Sequence, residues 1–146
     1  MLSCLAPANA EWACHAGALL LTAAWLLQAR GDRPNRYAVH DTALATQNLL
    51  LQATALGLAA HPMGGFDREK ATAVLLLPPE CEPVAMVAVG RPGSHDRLSP
   101  EGRAEEMAPR ERRPLAEWVH RGVWGTAWQA GAARAETPAE EGRHAG

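Results

Sequence analysis

The run Met63-Gly64-Gly65-Phe66-Asp67 places two glycines side by side. Without a Cβ, such a backbone can approach a flat ligand closely, leaving its amides free to donate to electronegative ring atoms. Further along, Arg110 and Arg112 flank Glu111, with Arg113 and Pro114 following. In an extended segment residues i and i+2 point the same way, and two guanidiniums on one side suit a phosphate through paired, charge-assisted hydrogen bonds. Taken alone, each feature has a plainer reading. Gly-Gly before a capping Asp is the lead-in to a helix, and the arginines make a solvated basic turn paired with Glu105, Glu106 and Glu111.

Other chemistries find less support. Cys4, Cys14 and Cys81 are odd in number and widely spaced, which gives neither a disulfide framework nor a paired metal knuckle; they read as reduced thiols of a cytoplasmic protein. The six histidines form no close ligand pair, so no metal is expected. His40-Asp41 resembles a base and its orienter, but neighbours on a helix project about 100° apart and no Gly-x-Ser-x-Gly elbow accompanies them. A formal net charge of -2 gives no general attraction to nucleic acid or anionic lipid, and 13 of the 14 basic residues are dispersed arginines.

Two uncharged stretches raise the question of a membrane. Trp12–Ala29 lies near the start, but Met1–Ala10 has no Lys or Arg and Glu11 stands where positive charge belongs. Thr42–Phe66 is long enough to span, yet carries Gln47, Asn48, Gln52, Pro62 and the glycine pair. The expectation is a soluble, cytoplasmic chain of 146 residues, 47% hydrophobic and able to bury a core as one domain.

The elements that must position these residues follow from periodicity and punctuation. Ala8–His15 reads as a short helix entered through Asn9, which is either its cap or a functional amide. Ala16–Trp25 and Pro83–Gly90 are apolar runs without polar alternation, as in buried strands. Between them, Val39–Leu56 is the clearest helix, with Asp41 and Thr42 as capping residues and Gly57 at the left-handed stop. Its polar stripe of Asp41, Asn48 and Gln52 is narrow, so burial on more than one side is expected, the second surface being another subunit. Ala59–Gly65 reads as a turn-rich approach, Asp67 as the cap of a helix reaching about Leu75, and Arg91–Pro109 as loop. Leu115–His120 is an amphipathic piece, and 129–146 lacks apolar periodicity and reads as a disordered tail.

In order and spacing, these pieces resemble the nitroreductase family over 8–124. The central helix with its Asp and Gln-Asn, the G-G-F-D turn, the proline step and the strand ending in Val-Gly-x-Pro all match. So do Asn9 with Trp12 as an N-x-x-W element, Arg110-x-Arg112-Arg113-Pro114-Leu115 as R-x-R-K-P-L, and Val123-Trp124-Gly125 as the closing motif.

The resemblance implies an α+β fold over residues 1–128, a mixed or antiparallel sheet wrapped by helices, built as a homodimer around flavin mononucleotide (FMN). Carried over, Asn9 would meet the flavin's polar edge, Gly64 and Gly65 would present amides to its N5 and O4, and Arg110 and Arg112 would hold the phosphate. The implied activity is NAD(P)H oxidation with a nitroaromatic, quinone or similar small-molecule acceptor, through FMN that the protein tunes electronically. The catalytic residues are not identified by the motifs.

One departure stands against the match. The family's usual first helix with its Arg-Arg-Ser-type phosphate grip, and a helical stretch and strand after it, have no counterpart here. The chain is therefore expected to be N-terminally truncated, corresponding to the C-terminal two-thirds of the domain. The competing expectation is a non-catalytic remnant or dimerising partner that binds FMN weakly or not at all.

Overall fold

The computed structural model describes residues 1–128, so the expected tail at 129–146 lies outside the described residues. The chain divides into two compact units, Met1–Glu106 and a second beginning at Met107, each described by itself.

The first unit opens with a 3-10 turn at Leu2–Cys4, followed by helix α1 (Pro7–Ala13) and strand β1 (Ala18–Trp25). Helix α2 (Ala38–Ala55), strand β2 (Ala59–Met63), helix α3 (Arg68–Leu75), strand β3 (Cys81–Gly90) and helix α4 (Pro100–Met107) complete the order. The sheet runs β1-β3-β2 with both pairings antiparallel. The expected α+β class holds.

The apolar run of β3 takes the middle because it alone is paired on both edges; Met86 and Val87 are fully buried within it. Pro62 lies on β2, an outer strand, where a missing N–H costs no interior ladder bond. Opposite β1 the register shifts between Thr22 and Ala23, leaving Val84 as the extra residue of a bulge. The Thr22 hydroxyl compensates there, donating to the Ala85 carbonyl at 3.1 Å and accepting from the Ala85 N–H at 3.2 Å. Among the described residues, the outer edge of β1 has no strand partner and Trp25 is half exposed.

The core gathers Cys4, Leu5, Ala13, Met63, Ala71, Met86 and Ala88. Helix α2 buries only Ala38, Thr46 and Ala53, one narrow stripe at a seven- to eight-residue spacing. Leu44 (55%) and Leu51 (60%) stay exposed, with Val39 and Leu56 also on the surface. Within one chain the helix is covered on one side, and the surface expected to meet another subunit is open.

Other expectations need correction. The 59–65 approach contains β2, whose alternation Pro62 and Gly64-Gly65 masked. Helix α1 is capped at Ala6 with Pro7 at its first position, so Asn9 lies inside it and is not its cap. Asp41 and Thr42 also lie inside α2 rather than before it: the Thr42 hydroxyl donates to the Ala38 carbonyl at 2.9 Å, and Asn35 Oδ1 accepts from the Tyr37 N–H at 3.1 Å. Within the expected loop 91–109, α4 forms where Ser99 Oγ accepts from the Gly102 N–H and Pro100 opens the first turn. Gly57 does take the left-handed conformation, with φ of 71°. Asp67 does cap α3, its Oδ1 accepting from the Lys70 N–H at 2.9 Å.

The second unit holds a 3-10 turn at Leu115–Glu117, shorter than the amphipathic 115–120 piece expected, and an isolated bridge between His120 and Ala127. Arg113 bonds Glu117 at 3.0 Å and lies over the Trp118 ring at 4.6 Å.

Candidate functional site

The turn at 63–67 is built by long-range pairing, not by its own sequence. It leaves β2 at Met63, enters α3 through Asp67, and is bridged in between to the N-terminal segment by Leu5 and Phe66. The Gly65 carbonyl accepts from the Ala6 N–H at 3.0 Å and from Asn9 Nδ2 at 3.1 Å. The Asp67 N–H donates to the Cys4 carbonyl at 2.8 Å, and Lys70 Nζ, the side chain of the single lysine, donates to the Ser3 carbonyl at 2.7 Å. Four bonds thus tie Ser3–Asn9 to the turn and the first residues of α3.

Within the turn, the Phe66 N–H donates to the Gly64 carbonyl at 3.1 Å, a closure of γ-turn type centred on Gly65. No peptide bond among the described residues is cis, so the Gly65 N–H points opposite to the Gly64 carbonyl, out of the turn. Neither the Gly64 nor the Gly65 N–H donates to an acceptor among the described residues. Both glycines line an open cavity of about 380 Å³ with Ser3, Cys4, Ala6 and Lys70.

The two glycines differ in what surrounds them. A Cβ built on Gly64 meets nothing within 4 Å, whereas one on Gly65 falls 2.9 Å from Asn9 Nδ2 and 3.6 Å from the Ala6 Cβ. Gly64 therefore faces space that the described residues leave unfilled. That fits a planar group lying against the backbone, with neutral donors at its edge.

Asn9, Gly64 and Gly65, three of the five residues proposed from the sequence, are thus brought together. Arg110 and Arg112 belong to the second unit, in a segment without regular secondary structure. Arg112 Nη1 donates to the neighbouring Glu111 carbonyl at 3.1 Å, and neither arginine joins an ion pair among the described residues. Ser3, Cys4 and Ala6, which sit some sixty residues before the glycine pair, and Lys70, five residues after it, carry no motif of their own and were not legible in the sequence.

His40 and Asp41 do meet, Nδ1 to Oδ1 at 3.0 Å, which corrects the expectation that successive helical residues diverge too far to pair. Both are about two-thirds exposed, which suits a solvated pair at a helix start. No group of three or more His, Cys, Asp or Glu among the described residues is placed to hold a metal. No helix among them is long and apolar enough to cross a membrane.

Comparison with known proteins supplies a frame for this geometry. The sequence model described as "Nitroreductase family" matches residues 5–91. A 15.4 kDa protein of the ask 5' region of Mycolicibacterium smegmatis is 35% identical over 115 residues, covering 79% of this chain and 76% of that protein. Among solved structures, an oxidoreductase containing FMN superposes with a TM-score of 0.78 at 29% identity, over 86% of this chain and 64% of its own. A nitroreductase family protein of Clostridium difficile 630 gives 0.53 at 26% identity, over 75% of this chain and 61% of its own. The chain therefore spans somewhat less than two-thirds of these two solved relatives.

Proposed function

Since the chain belongs to the nitroreductase family, we propose that it is an FMN-dependent oxidoreductase that takes hydride from NAD(P)H and passes it to a nitroaromatic, quinone or similar acceptor. The observation that carries this reading is the pinned 63–67 turn, with free N–H groups and open space over Gly64. The FMN content of a solved relative at 29% identity supports it.

In this reading Gly64 and Gly65 would hold the polar edge of the flavin ring, with Asn9 beside them. Bound there, FMN supplies the two-electron chemistry between reductant and acceptor. The unpaired Gly64 and Gly65 N–H groups would act as neutral donors at that edge, an arrangement that would favour the electron-rich form of the cofactor. Arg110 and Arg112 are assigned to the phosphate from their R-x-R pattern and their freedom from ion pairs among the described residues.

A homodimer belongs to the same proposal. Exposed Leu44 and Leu51, one heptad apart on the same side of α2, present an apolar surface of the kind a second copy would cover. Free Cys4, Cys14 and Cys81 accord with a reducing, cytoplasmic setting.

The test is purification without added cofactor, followed by an absorbance spectrum and FMN titration by flavin fluorescence. Oxidation of NADH and NADPH is then measured with a quinone and a nitroaromatic. A yellow protein that oxidises either reductant is expected. A colourless protein that neither quenches FMN fluorescence nor oxidises either reductant would leave the rival reading, a non-catalytic dimerising partner.

A further inference from the structure

We propose that Asn9 is a positioning residue for the glycine turn: its carboxamide holds the Gly65 carbonyl and so fixes the peptide whose Phe66 N–H binds the Gly64 carbonyl, which in turn keeps the Gly65 N–H directed out of the turn. This rests on the reading that the turn receives a flavin edge, but the latch itself is a property of the ligand-free chain.

Glycine creates the need for such a latch. With no Cβ on either side, the peptide planes around Gly64 and Gly65 meet little steric resistance to rotation, so their direction must be set from outside. The Gly65 carbonyl is held twice, by the Ala6 N–H at 3.0 Å and by Asn9 Nδ2 at 3.1 Å, which uses both of its lone pairs. Only the nitrogen end of a carboxamide can face a carbonyl oxygen favourably, which fixes which way Asn9 is turned. Rotating the Gly65–Phe66 peptide would break both bonds and the Phe66 N–H to Gly64 carbonyl bond as well. Helix α1 positions Asn9 rigidly because Pro7 starts it one residue after Ala6, the other latch donor.

The same contact explains why residue 65 is glycine. Its Cβ would stand 2.9 Å from Asn9 Nδ2, and the atom that must move is the end of that side chain. A methyl at 65 therefore displaces the Asn9 amide. Once that amide is removed, the next neighbour is the Ala6 Cβ at an ordinary 3.6 Å.

The experiment uses the full chain carrying Asn9→Asp, Asn9→Ala, Gly65→Ala, or Asn9→Ala with Gly65→Ala. The readouts are hydrogen exchange of the Ala6 and Phe66 amides without ligand, and FMN affinity by fluorescence quenching. Asn9→Asp keeps the shape but sets an oxygen against the Gly65 carbonyl. It is expected to speed exchange at Ala6 and Phe66 about two- to tenfold, the value of one net hydrogen bond, and to weaken FMN binding by a similar factor. Gly65→Ala should do the same, and the double variant should be no worse than Asn9→Ala alone.

Wild-type exchange rates in Asn9→Asp would overturn the latch, and if FMN affinity fell all the same, Asn9 would be a direct ligand only. Additive losses in the double variant would overturn it too. Should the unmodified protein bind no FMN, the exchange measurements still decide the latch, while the flavin reading fails separately.

Discussion

Gly64→Ala should push stability and cofactor affinity in opposite directions. In the free protein the new methyl meets nothing within 4 Å, and the backbone φ of Gly64 lies outside the left-handed range, so alanine fits without strain. Replacing glycine at such a position removes unfolded-state freedom and stabilises by about 0.4–1 kcal/mol. A flavin ring lying against this backbone meets the substitution differently. The methyl stands about 1.5 Å proud of Cα, so a ring at van der Waals contact must retreat by roughly that distance. Hydrogen bonds of about 2.9–3.0 Å are then stretched past the length at which they hold. Losing two neutral bonds at about 0.5–1.5 kcal/mol each costs about 1–3 kcal/mol, or roughly 5- to 150-fold in FMN affinity. The assay pairs thermal unfolding of the flavin-free protein with a fluorescence titration of FMN. A Gly64→Ala protein that binds FMN as tightly as the unmodified chain would refute the placement of the ring. Gly65→Val is a poorer probe, because its Cβ strikes Asn9 whether or not a ligand is present.

Other substitutions examine the remaining links. Thr22→Val strips both polar groups of Ala85 of their partner at the bulge, and should destabilise by about 2–4 kcal/mol in urea unfolding; Thr22→Ser should recover most of it, and an unchanged midpoint for Thr22→Val would mean water serves equally well. Leu44→Glu with Leu51→Glu, both on the exposed surface of α2, should shift sedimentation toward the monomer while leaving far-ultraviolet dichroism intact. If the unmodified protein sediments as a dimer and the double variant does so equally well, dimerisation uses another face. Arg112→Ala should weaken FMN by about 10- to 150-fold and flatten the salt dependence of binding, while riboflavin, which lacks the phosphate, should bind both proteins alike. Equal losses for both ligands would remove Arg112 from the phosphate site.

Local chemistry made part of this protein legible from residues alone. The stop at Gly57, the cap at Asp67 and the buried run of β3 depend on neighbours within a few positions, and each formed as its sequence indicates. The glycine pair could be singled out for the same reason, since conformational permissiveness belongs to the residue itself. Tertiary pairing decided what the pair does. The Leu5–Phe66 bridge and the bonds from Ala6 and Asn9 span more than fifty residues, and nothing in Ser3–Asn9 taken by itself indicates that it closes on this turn. Strand β2 was hidden because Pro62 and the glycines read as breakers, yet an outer strand tolerates a missing N–H and needs only one partner. The apolar circumference of α2 told how much surface that helix must cover. Packing decided that only the Ala38, Thr46 and Ala53 stripe is covered within one chain, because three strands present it with a single face. Sequence determines which backbone conformations and surfaces are available, through interactions a few residues long. Which glycine is tied inward and which stays open is settled by atoms that only the folded chain brings within hydrogen-bonding distance.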